Sequence, residues 1–326
     1  MLPVGVVIIG RNEGERLVRC VASVRKLDLP VVYVDSASTD GSAERVRAAG
    51  VDVIQIDLSR PFTAGRARNE GFARLMALHP ELEFVQFVDG DCEVREGWIE
   101  RAASELQRDS GVVSVCGRRQ ERYPDASLYN RLCDIEWDTP IGDADATGGD
   151  FMIRAEAFRD AGGFDPGLIA GEEPELGHRL RARGWLIRRI DAPMTWHDAA
   201  MSNFSQWAKR SSRSGYAYAA RAALHWKDGS RYMWRENFRI AFWAVGLPLA
   251  ILLLAAFVVP AFAWLLLVYP LQVLRSWVAA RRAGLGSAAL PQALFLLVGK
   301  WCECWGQLRF ASRWVTGAEQ RIIEYK

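Results

Sequence analysis

The chain has 326 residues, with 41 Lys and Arg against 39 Asp and Glu, and half of its residues are hydrophobic. A net charge of +2 argues against nucleic acid as the partner, and the six cysteines (Cys20, Cys92, Cys116, Cys133, Cys302 and Cys304) lack both zinc spacing and the density of a disulfide framework. The length admits one catalytic domain of about 200 residues and a membrane module, but not two large soluble domains.

In chain order, Val4 to Gly10 reads as a buried strand. Glu13 to Arg25 reads as a helix with Leu17, Val21 and Val24 at helical spacing, and Val31 to Val34 as a second strand. The turn-rich segment Asp35 to Ser42 supplies caps for a helix over Ala43 to Ala49, and a third strand is expected over Val51 to Ile56. Such alternation predicts a parallel or mostly parallel sheet covered by helices, with ligands beyond the carboxyl ends of the strands. Arg11, Asn12, Asp35, Asp89 and Asp91 all fall just after strands.

The apolar run Phe84 to Val88 ends in Asp89, Gly90 and Asp91. Two carboxylates one residue apart, with a glycine between them for close approach, can hold a divalent cation against phosphate oxygens, which points to chemistry on a nucleoside diphosphate. A second D-x-D pair, Asp143 and Asp145, lies in a stretch rich in Pro and Gly with no strand before it, and reads as loop acidity. Further along, Glu172 and Glu173 precede a helix expected over Glu175 to Arg183, with Pro174 at its start. A strand over Leu186 to Ile190 precedes Trp196, His197 and Asp198. His79, His178 and His225 read as structural or solvated.

Five ordered segments resemble an inverting family-two glycosyltransferase of the GT-A type over roughly residues 3 to 200. They are the strand into Gly10-Arg11-Asn12-Glu13, Val34 to Ser42, Ala67-Arg68-Asn69-Glu70-Gly71, the Asp89/Asp91 pair, and Gly171 to Leu176 ahead of Arg179 and Leu180. The resemblance implies an α/β fold, a Rossmann-like mixed sheet binding a nucleotide sugar, with a C-terminal helical membrane module. It implies that Arg11, Asn12, Glu13, Asp35, Arg68 and Asp89 line the nucleotide-sugar cleft. Asp91, with Asp89 and His197, would hold a divalent cation, Mn or Mg. Glu173 or its neighbour Glu172 would be the general base; charge does not choose between them, and alignment favours Glu173. The segment Gly148 to Ile153 resembles the strand returning beside the sugar, where Asp150 touches the donor or caps a turn. Glu136, Trp137 and Asp138 read either as an acceptor-facing group or as a partly buried amphipathic patch. Three departures stand out. Ser36 replaces a frequent second Asp, Glu173 stands where Asp is usual, and the Q-x-x-R-W signature of processive synthases is only approximated by Gln206 to Arg210.

Beyond the catalytic half, expected to be residues 1–203, Phe204 to Arg239 interleaves Trp and Tyr with Lys and Arg, as expected of interfacial helices at headgroup depth. Between Arg239 and Arg275 lie 35 residues without a charge. That is short for two full passes and too long for one, so residues 240–280 are expected to form a transmembrane or re-entrant hairpin turning near Pro260. Arg231, Arg235 and Arg239 before it and Arg275, Arg281 and Arg282 after it place both ends in the cytoplasm. Residues 281–326 are expected to hold an interfacial helix, over Ala288 to Phe310, and a tail. With its first strand so near the start, the chain is expected to carry no secretory leader and to sit on the inner (cytoplasmic) membrane, its catalytic half facing the cytosol. The expected acceptor is a hydroxyl of a lipid or lipid-linked glycan in cell-surface polysaccharide or glycolipid assembly. The alternatives are a polyprenyl-phosphate sugar synthase and a non-catalytic binder of nucleotide sugar or lipid.

Overall fold

The computed structural model describes residues 2–229 and 231–318, which fall into two units. One runs to Pro124 and resumes over Cys133–Ala200; the other combines Asp125–Leu132 with the chain from Met201 onward.

The elements follow in chain order as β1 (Val4–Gly10), α1 (Glu15–Arg25), β2 (Val31–Asp35), α2 (Ser42–Ala48), β3 (Asp52–Gln55), α3 (Ala64–Leu78), β4 (Phe84–Asp89) and β5 (Cys92–Val94). Next come α4 (Trp98–Arg108), β6 (Val112–Glu121), α5 (Leu128–Trp137), β7 (Gly142–Asp143), β8 (Phe151–Arg154), α6 (Ala155–Asp160), α7 (Glu172–Ala182) and β9 (Leu186–His197). The nine strands form one mixed sheet in the order β3-β2-β1-β4-β8-β6-β9-β5, with β7 on β9. Burial of both faces explains why β1 and β4 are almost continuously apolar.

Register brings the chemistry to one edge of this sheet. β1 runs parallel to β2 and β4, so Gly10 lies opposite Asp35 and Ile9 opposite Asp89. β8 runs antiparallel to β4, with Phe151 opposite Phe87, which sets Asp150 beside the end of β4. At the end of β9, His197 is opposite both Cys92 and Glu121. α3 lies close over β1 and β2 because Gly71 has no side chain: a Cβ there would stand 2.4 Å from a Val7 methyl and 2.9 Å from a Val34 methyl. Behind the edge, Phe87, Phe151, Phe158 and Phe164 pack ring against ring, with Phe87 and Phe151 centroids 5.2 Å apart.

The second unit is helical. α8 (Phe204–Leu224) starts in a capping box in which Asn203 accepts from the Gln206 amide and the Gln206 side chain receives the Asn203 N–H. Gln206, which approximates the first residue of the processive signature, is thus engaged in starting a helix. α9 (Trp234–Ala241) passes through a π-helical turn, Phe242–Gly246, into α10 (Leu247–Phe257), making one apolar helix of 24 residues over Trp234–Phe257. Arg235, Glu236 and Arg239 therefore lie on the same helix as the apolar run rather than before it. The wide turn directly precedes Pro248, which lacks the N–H that a regular α-turn would use. After Val258 and Val259 the chain returns through a 3-10 segment, Pro260–Leu267, and α11 (Val268–Arg282). The helices Trp234–Phe257 and Pro260–Arg282 are both long and apolar enough to cross a membrane. α12 (Ala289–Thr316) lies against α8 through two glycines: a Cβ on Gly215 or Gly306 would stand 1.9 Å from a carbonyl oxygen, of Glu303 and of Ser212 respectively. Trp207 meets Phe295 edge to face at 4.6 Å across the same pair. α12 outruns the helix expected over Ala288 to Phe310 because apolar and aromatic residues continue to Trp314 and Val315. The expected tail, from Glu319 on, lies outside the described residues.

Candidate active site

The loop after β1 is built by Asn12, whose positive φ of 56° turns the chain. Its N–H donates to Ser38 Oγ at 2.9 Å and its Oδ1 accepts from the Thr39 N–H at 2.8 Å, fastening this loop to the one after β2. Asp35 is fully buried; it accepts from the Ser38 N–H at 2.9 Å and from Tyr33 Oη at 3.0 Å. Burial and the Asp35 carboxylate push the Tyr33 phenol well up, so it stays a neutral donor. Asp35, expected to line the cleft, is thus held by the end of β2 and the turn that follows it. Arg11 is exposed, its guanidinium 4.8 Å from the Phe62 ring centroid, and Glu13 lies 2.8 Å from Arg16.

Arg68, delivered from α3, is the hub of the site. Its side chain is 2% exposed, and its amino groups lie 2.7 Å from Asp89 Oδ1, 3.1 Å from Glu172 Oε1 and 3.2 Å from Glu173 Oε1. Strand β4 and the first turn of α7 meet on this one guanidinium. Arg68, expected as a cleft residue, ties together the carboxylates of three other predicted site residues. The helix expected from Glu175 begins at Glu172, so both acids occupy its first turn, where helix N–H groups favour negative charge.

On the other side of Asp89 stands Arg119, from near the carboxyl end of β6. Its Nη2 is 3.9 Å from Asp89 Oδ2 and its Nε is 3.1 Å from Asp150 Oδ2. Asp150, fully buried, also accepts from the Asp89 N–H at 3.0 Å and from Thr195 Oγ1 at 2.7 Å, so it ties β4, β6 and β9 together. Gly149 lets these groups close in: a Cβ there would lie 2.3 Å from Asp89 Oδ2 and 3.0 Å from an amino nitrogen of each of Arg68 and Arg119. Arg119 and Gly149 were not singled out from sequence, since an arginine inside a strand carries no local signal of the partners that topology will give it.

Asp91 points elsewhere. Its Oδ2 is 3.4 Å from His197 Nε2, and ligand atoms of Asp91, Cys92 and His197 lie within 4.8 Å of one another. His197 is buried, with Glu121 3.9 Å from its Nδ1 and the Trp137 ring centroid 4.5 Å from its own. A carboxylate facing an imidazole fits a divalent ion of the manganese type. Burial raises the Cys92 thiol well above its ordinary value, which disfavours the thiolate a third ligand would need. The other D-x-D pair is held by arginines: Asp143 lies 3.4 Å from Arg188 and Asp145 3.0 Å from Arg181.

Electrostatics separate the acids. Burial raises Asp89, but Arg68, Arg119 and His197 outweigh it and hold this carboxyl below its usual range. Glu173, 15% exposed, is pushed up to about 7 by burial and by the Glu172 carboxylate, against the pull of Arg68.

Two family models match this chain: Glycosyl transferase family 2 over residues 5–160 and Glycosyl transferase family group 2 over residues 134–279. Among curated proteins it is 26% identical over 197 residues to the glycosyltransferase AglE of Haloferax volcanii, covering 56% of this chain and 63% of that one. It is 28% identical over 234 residues to the pre-mycofactocin glycosyltransferase of Mycobacterium tuberculosis, covering 68% of this chain and 48% of that one. The chain thus spans less than two thirds of either relative. Among solved structures, the mannosyltransferase PcManGT of Pyrobaculum calidifontis, in complex with GDP-Man and Mn2+, superposes with a TM-score of 0.63 over 94% of this chain and 87% of that one; at 18% identity this is a likeness of fold. With both family models laid over the sheet and its acidic edge, the chain carries glycosyltransferase family 2 sequence over residues 5–160 and adopts a GT-A fold.

Proposed function

We propose that the protein transfers a sugar, with inversion, from a nucleoside diphosphate donor to a hydroxyl of a lipid or lipid-linked glycan at the cytoplasmic face of the inner membrane. The observation that carries this reading is the meeting of Glu173 with the D-x-D strand on Arg68, within 3.2 Å of each acid. Asp91 and His197 would hold a Mn or Mg ion, which when bound neutralises charge on the departing diphosphate. Both curated relatives are glycosyltransferases, and PcManGT was solved with GDP-Man and Mn2+.

Glu173 takes the proton of the acceptor hydroxyl as its oxygen attacks the anomeric carbon and the nucleoside diphosphate leaves from the opposite face. A base pushed up to about 7 is about half ionised at neutral pH and basic enough to accept that proton. Arg68 fixes the direction of Glu173 and Glu172 and keeps Asp89 ionised, leaving it as an acceptor for donor hydroxyls. Asn12 and the loop it ties to Thr39 frame the nucleotide end. The apolar helices, flanked by Arg235 and Arg239 on one side and Arg275, Arg281 and Arg282 on the other, would anchor the chain with both ends in the cytoplasm.

The test is nucleoside diphosphate release by the detergent-solubilised chain across a panel of nucleotide sugars, with Mn or Mg and an acceptor-rich membrane extract. Turnover of one donor, lost with chelator and in Asp91→Ala, is expected. Silence across the panel would leave a binding protein. Full transfer by Glu173→Ala would point to a phosphate acceptor, as in a polyprenyl-phosphate sugar synthase, which needs no base.

A further inference from the structure

Arginines of the sheet unit find acids even at its surface: Arg45 lies 3.0 Å from Glu15 and Arg74 2.7 Å from Asp52, with side chains 47% and 46% exposed. The foot of the apolar hairpin is different. Lys227, Arg231, Arg235 and Arg239 on one arm, and Arg281 and Arg282 on the other, are all exposed, and none forms an ion pair among the described residues. Between Phe204 and Arg282 the chain has 11 Lys and Arg against two acids, Asp228 and Glu236, and Asp228 is held 2.7 Å from His225 Nδ1. Exposed aromatics stand beside the cations in stacked pairs. Trp226 lies on Trp234 at 5.9 Å and 16°, joining the end of α8 to the start of α9, and Phe238 lies on Phe242 at 6.0 Å and 24°. Trp234, Phe238 and Phe242 recur every four residues and share a helix face, so Arg235 and Arg239, one residue on, form a row of charge beside a row of rings. The helix Trp234–Phe257 has 24 residues, about 36 Å at 1.5 Å each, against a hydrocarbon core of about 30 Å. Set across a bilayer, its first turn, with Trp234 and Arg235, stands outside the hydrocarbon at the level of lipid phosphates. Arg239 reaches the same level along its own stem.

We propose that the foot of the hairpin is a docking site for anionic phospholipid headgroups, with Lys227, Arg231, Arg235 and Arg239 taking the phosphates and the Trp226–Trp234 stack fixing their depth. This rests on the membrane reading above and names the lipid. A zwitterionic headgroup brings its own ammonium into a surplus of cations, where Glu236 is the one acid beside Asp228 to receive it. A free phosphate would answer the cations but leave the stacked rings in water. An anionic lipid answers both, its headgroup meeting the row of charge and its acyl chains the row of rings.

The test places the full-length chain in phosphatidylcholine vesicles with a trace of spin-labelled phosphatidylglycerol or spin-labelled phosphatidylcholine, and reads by EPR the fraction of each label held at the protein surface. A preference for phosphatidylglycerol of at least about fivefold is expected, the worth of one Lys or Arg near an anionic surface, and it should fall toward parity in about 1 M salt. Arg235→Gln combined with Arg239→Gln should remove most of the preference. Arg45→Gln combined with Arg74→Gln takes the same charge from the sheet unit and should leave it unchanged. Parity in the wild type, or an equal loss in both double variants, overturns the site. So does displacement of the label by glycerol 3-phosphate, which would make the ligand a free phosphate. Insertion is read separately by flotation: a chain that floats with the vesicles yet shows no preference loses the headgroup site alone, while one that does not float refutes the membrane reading and the site with it.

Discussion

Replacing Glu173 with Gln should lower activity and raise stability, the second only above a definite pH. The carboxyl is pushed from an ordinary 4.5 up to about 7 by burial and by Glu172, which corresponds to about 3 kcal/mol against the charged form. A group raised on folding contributes stability that is fully present below 4.5 and is lost as pH rises through about 7. The wild type therefore carries an unfavourable buried charge at pH 8.5 that it sheds at pH 4.5. Glutamine keeps the shape and an oxygen for Arg68 but never ionises. In thermal unfolding of the metal-free protein, the difference between Glu173→Gln and wild type should be near zero at pH 4.5 and approach about 3 kcal/mol, a figure already net of the Arg68 attraction, at pH 8.5. Nucleoside diphosphate release should fall by about 10²–10⁴, as for loss of a general base, and the wild-type rise in kcat/KM through about pH 7 should vanish. A stability difference that does not change with pH, or a variant that keeps both its rate and its pH profile, would refute the reasoning.

Other outcomes follow from the same geometry. Asp91→Ala or His197→Ala should abolish the manganese-dependent rise in unfolding temperature, worth about 2.7 kcal/mol at a hundredfold excess over Kd in the wild type; an undiminished rise in both variants would place the ion elsewhere. Gly149→Ala sets a Cβ where Asp89 Oδ2 would be 2.3 Å away, so turnover should drop at least about tenfold while circular dichroism stays native; normal turnover would mean that Asp89 has room to move. Gly306→Ala puts a methyl 1.9 Å from the Ser212 carbonyl and should cost about 3 kcal/mol or more, read as a shortened half-life in detergent, with no loss expected if α8 and α12 can part freely. Alkaline carbonate should leave the chain in the membrane pellet, and its recovery in the supernatant would refute insertion.

Much of the sheet was legible because buried parallel strands write themselves as apolar runs, and the loops after β1, β2 and β4 could be placed at one edge from alternation alone. The segment Ala67 to Gly71 was legible as a motif but not in its meaning. Gly71 serves the close packing of α3 on β1, Asn69 fastens the Phe164 backbone through bonds of 2.8 and 2.9 Å, and Arg68 turns inward to acids from two distant segments. None of these partners lies within 20 residues in sequence, so no local pattern could reveal them. Arg119 was missed for the same reason, and Trp137 was noticed only as one of two readings. The apolar hairpin was plain from composition. Its π-helical and 3-10 turns were not, since they answer to backbone geometry around Pro248 and Pro260 rather than to hydrophobic period.

One arginine holding both Asp89 and Glu173 raises the question of how the two carboxyls differ. Arg68 lies 2.7 Å from the first and 3.2 Å from the second, so distance to this cation alone does not separate them. The remaining neighbours do. Asp89 is also drawn down by a second arginine, Arg119, and by His197; besides Arg68, Glu173 faces two acids, Glu172 beside it in the chain and Asp89 across the guanidinium. The first is accordingly pressed down and stays ionised at any physiological pH, while the second is lifted to the edge of neutrality. Two acids whose surroundings drive them in opposite directions divide into a fixed charge and a proton acceptor. On the proposed reading, that division lets a single guanidinium serve both ends of the reaction: it steadies the charge that binds the donor while leaving free the base that activates the acceptor.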